Sequence, residues 1–113
     1  MTTETDRTKT IANLNDQTRK YMGVFGQTVM TPGITEMSDL DRNAILDLVE
    51  KFDDFTEDND PYGEHDFGSF DYNGKTIFWK IDYYNPTMDG GSEDPANPQQ
   101  TKRVLTIMLS HEY

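Results

Sequence analysis

The stretch FGSFDYNGKTIFWKIDYY, Phe67–Tyr84, decides the fold. Asn73-Gly74 separates two runs rich in aromatic and β-branched residues, and a type I′ turn needs positive φ at both central positions, which this dipeptide tolerates best. The turn sets the register. Tyr72 faces Lys75, Phe70 faces Ile77 and Gly68 faces Trp79, so the indole is predicted to cover bare glycine backbone across the pair. Because side chains alternate, Phe70, Ile77, Trp79, Ile81 and Tyr83 share one face, and Phe67, Ser69, Asp71, Phe78, Lys80, Asp82 and Tyr84 share the other. The first face is the expected core side.

Beyond the hairpin, a loop from Asn85 to Gln100 holds three prolines and two adjacent glycines. It carries no recognisable chemistry, although loops this long in compact domains are often functional. The run Lys102–Leu109 reads as a buried strand, central or next to the hairpin, with Leu105, Ile107 and Leu109 pointing one way. On the other side of the hairpin, Ser38 and Asp41 form a capping-box-like start, and Ile45, Leu48, Val49 and Phe52 fall on one helical face. This predicts a helix over Asp39–Phe52. A second helix is predicted over Thr10–Met22 from the spacing of Ile11, Leu14, Thr18, Tyr21 and Met22, with Gly23 ending it. Gln27–Thr31 reads equally as a short strand or a loop before a Pro32-Gly33 turn, and residues 1–9 as a flexible N-terminus. The expected fold is α+β: residues 10–113 form one domain, two helices packed on an antiparallel sheet of three to four strands.

At 113 residues the chain suits one core. It has no cysteine, which excludes disulfides, thiolate metal sites and cysteine nucleophiles. No apolar stretch of signal-peptide length opens the sequence, so a cytoplasmic protein is expected. The net charge is −11. Residues 1–25 carry four basic and three acidic side chains, which leaves the body more acidic than the whole. Direct binding to nucleic acid or an anionic membrane is therefore disfavoured. The same charge argues against reading Phe67, Phe78 and Tyr84 as a base-stacking platform.

The acid is concentrated. Between Lys51 and Lys75 there are 23 residues without Lys or Arg and eight carboxylates: Asp53, Asp54, Glu57, Asp58, Asp60, Glu64, Asp66 and Asp71. The outer face of the Asp39–Phe52 helix adds Asp39, Asp47 and Glu50, and its stripe runs on into Asp54. Asp58, Asp60, Glu64 and Asp66 offer hard oxygen ligands for Ca²⁺ or Mg²⁺ around Gly63, but Ser69 stands where an EF-hand needs its bidentate Glu. Glu64, His65 and Asp66 are the candidate catalytic acids and bases, with His111 joining only through tertiary structure. Neighbours on an extended chain point to opposite sides, so at most two of the three share a site. There is no nucleophile elbow, phosphate loop or zinc-protease motif. A further reading is mimicry: on an extended segment, Asp58 with Asp60 and Glu64 with Asp66 lie about 6.6 Å apart on one side, close to the phosphate repeat of a nucleic-acid strand.

Three segments carry a family resemblance: Phe52-Asp53-Asp54-Phe55-Thr56-Glu57-Asp58-Asn59-Asp60-Pro61 continued by Gly63-Glu64-His65-Asp66-Phe67-Gly68, then Phe78–Tyr84, then Arg103–Leu109. On these the chain resembles a small uncharacterised bacterial family catalogued only as a domain of unknown function. The resemblance spans Ile11 to Tyr113 and implies a bacterial, plasmid-borne or phage-borne cytoplasmic protein. It implies no activity.

The leading expectation is a non-enzymatic acidic inhibitor, needing no cofactor, that docks on a basic nucleic-acid-binding protein, the type of anti-CRISPR and anti-restriction proteins. Its docking residues are Asp47, Glu50, Asp54, Glu57, Asp58, Asp60, Tyr62 and Glu64. The alternative is a Ca²⁺- or Mg²⁺-binding domain or metal-assisted hydrolase using Asp58, Asp60, Glu64 and His65. A homodimer is a further expectation, since a spare sheet edge or face would suit a second copy.

Overall fold

In the computed structural model, which describes residues 3–113, the chain runs α1 (Glu4–Lys20), β1 (Gln27–Met30), α2 (Pro32–Thr35), α3 (Asp39–Glu50), β2 (Phe67–Tyr72), β3 (Lys75–Tyr84), β4 (Lys102–Leu109) and a closing 3-10 turn, Ser110–Glu112. The hairpin forms in the predicted register, with Asn73 at φ 49° and Gly74 at φ 78°. Gly68 lies under Trp79, and a Cβ built on it would meet the indole Nε1 at 2.3 Å. Trp79, Ile77, Leu105 and Ile107 are fully buried, as the alternation requires. With Ile34 of α2 and Ile45 and Val49 of α3 they form the core between sheet and helices. Each such side chain contributes about 1.5–3 kcal/mol on burial.

The sheet order is β1-β4-β3-β2, so β4 is both central and next to the hairpin. β3 pairs antiparallel with β2 and β4, but β1 lies parallel to β4, with Gln27 opposite Val104 and Met30 opposite Ile107. The α+β class holds, while the expected antiparallel sheet is mixed. Nothing local in Gln27–Met30 could encode a partner 77 residues away.

The helices differ from expectation in three places. α1 begins at Glu4, not Thr10, because the Thr3 side chain accepts the Asp6 N–H at 3.0 Å and Glu4 and Asp6 favour the positive end of the helix dipole. Met1 and Thr2, part of the expected flexible start, lie outside the described residues. The buried stripe of α1 is Ile11, Ala12, Asn15, Thr18 and Arg19, whereas Tyr21 is exposed. Pro32-Gly33 is not a simple turn: Pro32, with its fixed φ, opens the single turn of α2 that buries Ile34. In α3 the buried side chains are Ile45 and Val49, with Leu46 and Phe52 packed against the core, while Leu48 is 41% exposed.

Candidate functional site

α1 is held to the body by polar side chains. Arg19 is 1% exposed, and its guanidinium donates to the carbonyls of Val49 (3.1 Å), Glu50 (3.1 Å) and Phe52 (2.7 Å) and to the Asp16 carboxylate (2.8 Å). Those carbonyls end α3, where the last turn has no basic residue of its own. The guanidinium also lies 5.1 Å from the Trp79 ring and 5.5 Å from that of Phe55. Burial lowers its pKa, and the hydrogen bond to Asp16 opposes that.

A second cluster surrounds Asn15, which is fully buried. Its amide donates to Tyr83 Oη at 2.8 Å and to the Glu64 carbonyl at 2.9 Å, and its carbonyl accepts from Arg103 Nε at 2.7 Å. Tyr83 donates onward to Glu64 Oε1 at 2.8 Å. Burial, then the Glu64 carboxylate, push the Tyr83 phenol far above its usual range. Arg103 stacks over Tyr83 at 5.1 Å, and burial lowers its pKa.

Between these clusters sits His65. Its Nδ1 is 3.0 Å from Asp16, its Nε2 is 3.8 Å from Asp60, and its ring stacks on Phe55 at 3.8 Å. Its backbone is left-handed, φ 56°, and its N–H donates to the Asp60 carboxylate at 3.2 Å. Asp66 is half-buried, and burial and the neighbouring Glu64 raise its pKa.

The acidic loop is consequently not an extended track. Thr56 to Asp60 coils on itself through Asp60 N–H to Thr56 O (2.8 Å) and Thr56 N–H to Asn59 Oδ1 (2.8 Å), and Gly63 turns at φ 71°. Asp60 is buried, whereas Asp58 is exposed, so the two carboxylates do not share a side. Glu64 is committed to Tyr83, and His65 to Asp16, so the Glu64-His65-Asp66 triplet diverges. Among the described residues no three His, Asp or Glu side chains are grouped so as to hold a metal ion, and Asp58, Asp60, Glu64 and Asp66 do not converge. The cleft of about 530 Å³ near α2 is lined by Glu36, Asp41, Lys75, His111 and Glu112 among others, which places His111 apart from His65. Two clefts of about 340 Å³ are also lined by residues other than Asp58, Asp60, Glu64 and His65.

What remains at the surface is Asp47, Glu50, Asp54, Glu57, Asp58 and Tyr62, the last 82% exposed, with Asp39 and Asp53 beside them in sequence. Asp47 pairs with Lys51 at 3.1 Å, and Asp39 pairs with Arg42. Among the described residues, no Lys or Arg forms an ion pair with Glu50, Asp53, Asp54, Glu57 or Asp58. Six of the eight expected docking residues thus lie outside, while Asp60 and Glu64 turn inward. Asn15, Asp16, Arg19 and Arg103, which fix the loop, escaped the sequence reading because their partners lie up to 88 residues away.

Comparison with known proteins gives one result. The model of the family described as Protein of unknown function (DUF3768) matches residues 30–112, so the chain belongs to that family. No curated protein and no solved structure matches it. α1 lies outside the matched residues. Among the described residues, no helix is long and apolar enough to cross a membrane.

Proposed function

We propose that this DUF3768 protein is an acidic docking module that occupies a basic, nucleic-acid-binding surface of another cytoplasmic protein and so competes with nucleic acid. The observation that carries the reading is the group of carboxylates Glu50, Asp53, Asp54, Glu57 and Asp58 at the C-terminal end of α3 and along the loop after it, which no Lys or Arg among the described residues pairs with. Glu50, in the last turn of α3, opposes the helix dipole, and the like charges that follow it on the loop add mutual repulsion, which Lys51 and Arg19 offset only in part. An arrangement that costs local stability fits a role outside the fold. Tyr62 supplies an aromatic contact of the kind enriched at interfaces. Recognition rests on charge density and on this aromatic, because the loop coils and does not space its carboxylates like phosphates.

The test is capture from a bacterial lysate by wild type and by the variant E50K/D54K/E57K/D58K, which spares the inward-facing Asp60 and Glu64. The expected result is a nucleic-acid-binding protein retained by wild type, released by salt, displaced by added nucleic acid and missed by the variant. Equal capture by both proteins, or capture indifferent to nucleic acid, refutes the reading.

A further inference from the structure

All three helices lie on one side of the sheet: Ile34, Ile45 and Val49 meet Ile77, Trp79, Leu105 and Ile107, and α1 reaches Tyr83 and Arg103 on that same face. The opposite face has no helix over it. It presents Val29, Phe67, Phe78, Tyr84 and Val104 among polar side chains such as Ser69 and Thr106, with Val29 45% exposed and the other four partly buried, while Met108 on the same face is 2% exposed. At one end Tyr113 closes an edge-to-face cluster with Phe67 and Phe78, at ring separations of 5.2 to 6.5 Å, and is itself 77% exposed.

The charges on this face differ from those of the rest of the molecule. By strand alternation it carries Asp71 and Asp82 against Lys80 and Lys102, which balance, in a protein of net charge −11. Lys80 and Asp82 stand side by side on β3, 3.0 Å apart, with more than a third of each side chain exposed. A two-fold axis passing near Ile81 would set Lys80 of one copy against Asp82 of the other, and the reverse, which is the self-complementarity an isologous contact needs.

We infer that the open sheet face is where a second copy of this chain docks, forming a two-fold dimer sheet against sheet. A charge-balanced, self-complementary face of mixed apolar and polar side chains lets two strongly acidic chains approach without bringing their acidic sides together. Four strands of four to ten residues, spaced about 4.8 Å with a rise of about 3.3 Å, project about 450 Å² per copy. The total of about 900 Å² falls short of the about 1,000 Å² of a stable specific interface, so the dimer is a weak, concentration-dependent one and not an obligate unit. The acidic α3 faces are left on the outside.

Sedimentation equilibrium of the full chain from about 1 to 500 µM tests this, with circular dichroism confirming the fold of each variant. Wild type is expected to move from the 13.0 kDa monomer to twice that mass. D82K, which sets lysines against lysines, is expected to remain monomeric across the range, and K80D/D82K, which reverses both charges and keeps the complementarity, to dimerise again. T106R, a bulky charge in the middle of the face, is expected to remain monomeric. A wild-type monomer at every concentration overturns the proposal, as it would if a different protein covers this face. Dimerisation undiminished in D82K and T106R also overturns it, because the contact then lies elsewhere, for instance along the edge strand β1.

Discussion

Replacing Arg19 with methionine measures what holds α1 to α3. Methionine keeps an unbranched apolar stem against Phe55 and Trp79 but removes the donors to Val49 O, Glu50 O and Phe52 O and the ion pair with Asp16. Val49 O keeps the Phe52 N–H as a donor at 3.3 Å, so the carbonyls left without one are those of Glu50 and Phe52, at about 1 kcal/mol each, and the partly exposed Asp16 loses about 0.5 kcal/mol, giving about 2.5 kcal/mol in all. For a domain whose total stability is about 5–15 kcal/mol this is a large fraction. With a urea slope of about 1.5 kcal/mol/M, the unfolding midpoint falls by about 2 M. The chain has a single tryptophan, Trp79, whose ring lies 5.1 Å from the guanidinium, so its fluorescence reports unfolding at the place of the substitution. R19K separates charge from geometry: an ammonium cannot reach all four acceptors as the planar fork does, and it recovers about half of the loss. A midpoint for R19M within 0.5 M of wild type, about 0.75 kcal/mol at that slope, would show that water or helix fraying satisfies these carbonyls, and the capping role assigned to Arg19 would be wrong.

Two further outcomes follow from the packing and the buried charge. G68A places a methyl where the Trp79 ring already lies, 2.3 to 2.7 Å from its atoms, and is expected to lower stability by about 3 kcal/mol and shift the Trp79 emission, as read by urea titration. Asp66 has a raised pKa, so the folded state holds its proton more tightly than the unfolded state does; ionisation destabilises the fold as pH rises through that range. D66N, which does not ionise, is expected to be more stable than wild type at pH 7 and to match it at low pH, where both side chains are neutral. Thermal melts at pH 3 and pH 7 check this, and an equal gap at both pH values would contradict it.

Those residues also show where the chain is readable. Asn73-Gly74 specifies a turn chemistry with few alternatives, and the alternation from Phe67 to Tyr84 carries the register without distant information, so Gly68 under Trp79 follows from local sequence. The class of the fold and the position of α3 are legible for the same reason. The parallel pairing of β1 with β4 is not, because only tertiary packing brings Gln27 to Val104. The polar stripe of α1 misleads in a more specific way. Asn15 and Arg19 occupy helical core spacing beside Thr18, yet side chains of this kind read as solvent-facing until their partners at Tyr83 and Phe52 are known. The acidic run illustrates the opposite error: eight carboxylates look like one surface, but the coil at Thr56–Asp60 turns Asp60 inward and leaves Asp58 outside.

The placement of α1 bears on how the family's boundaries should be drawn. The family model matches residues 30–112, and in this chain that segment alone would begin at the last residue of β1, leave the end of α3 without Arg19 and strip Glu64, Tyr83 and Arg103 of Asn15. The matched segment is thus smaller than the unit that satisfies the buried polar groups of this chain.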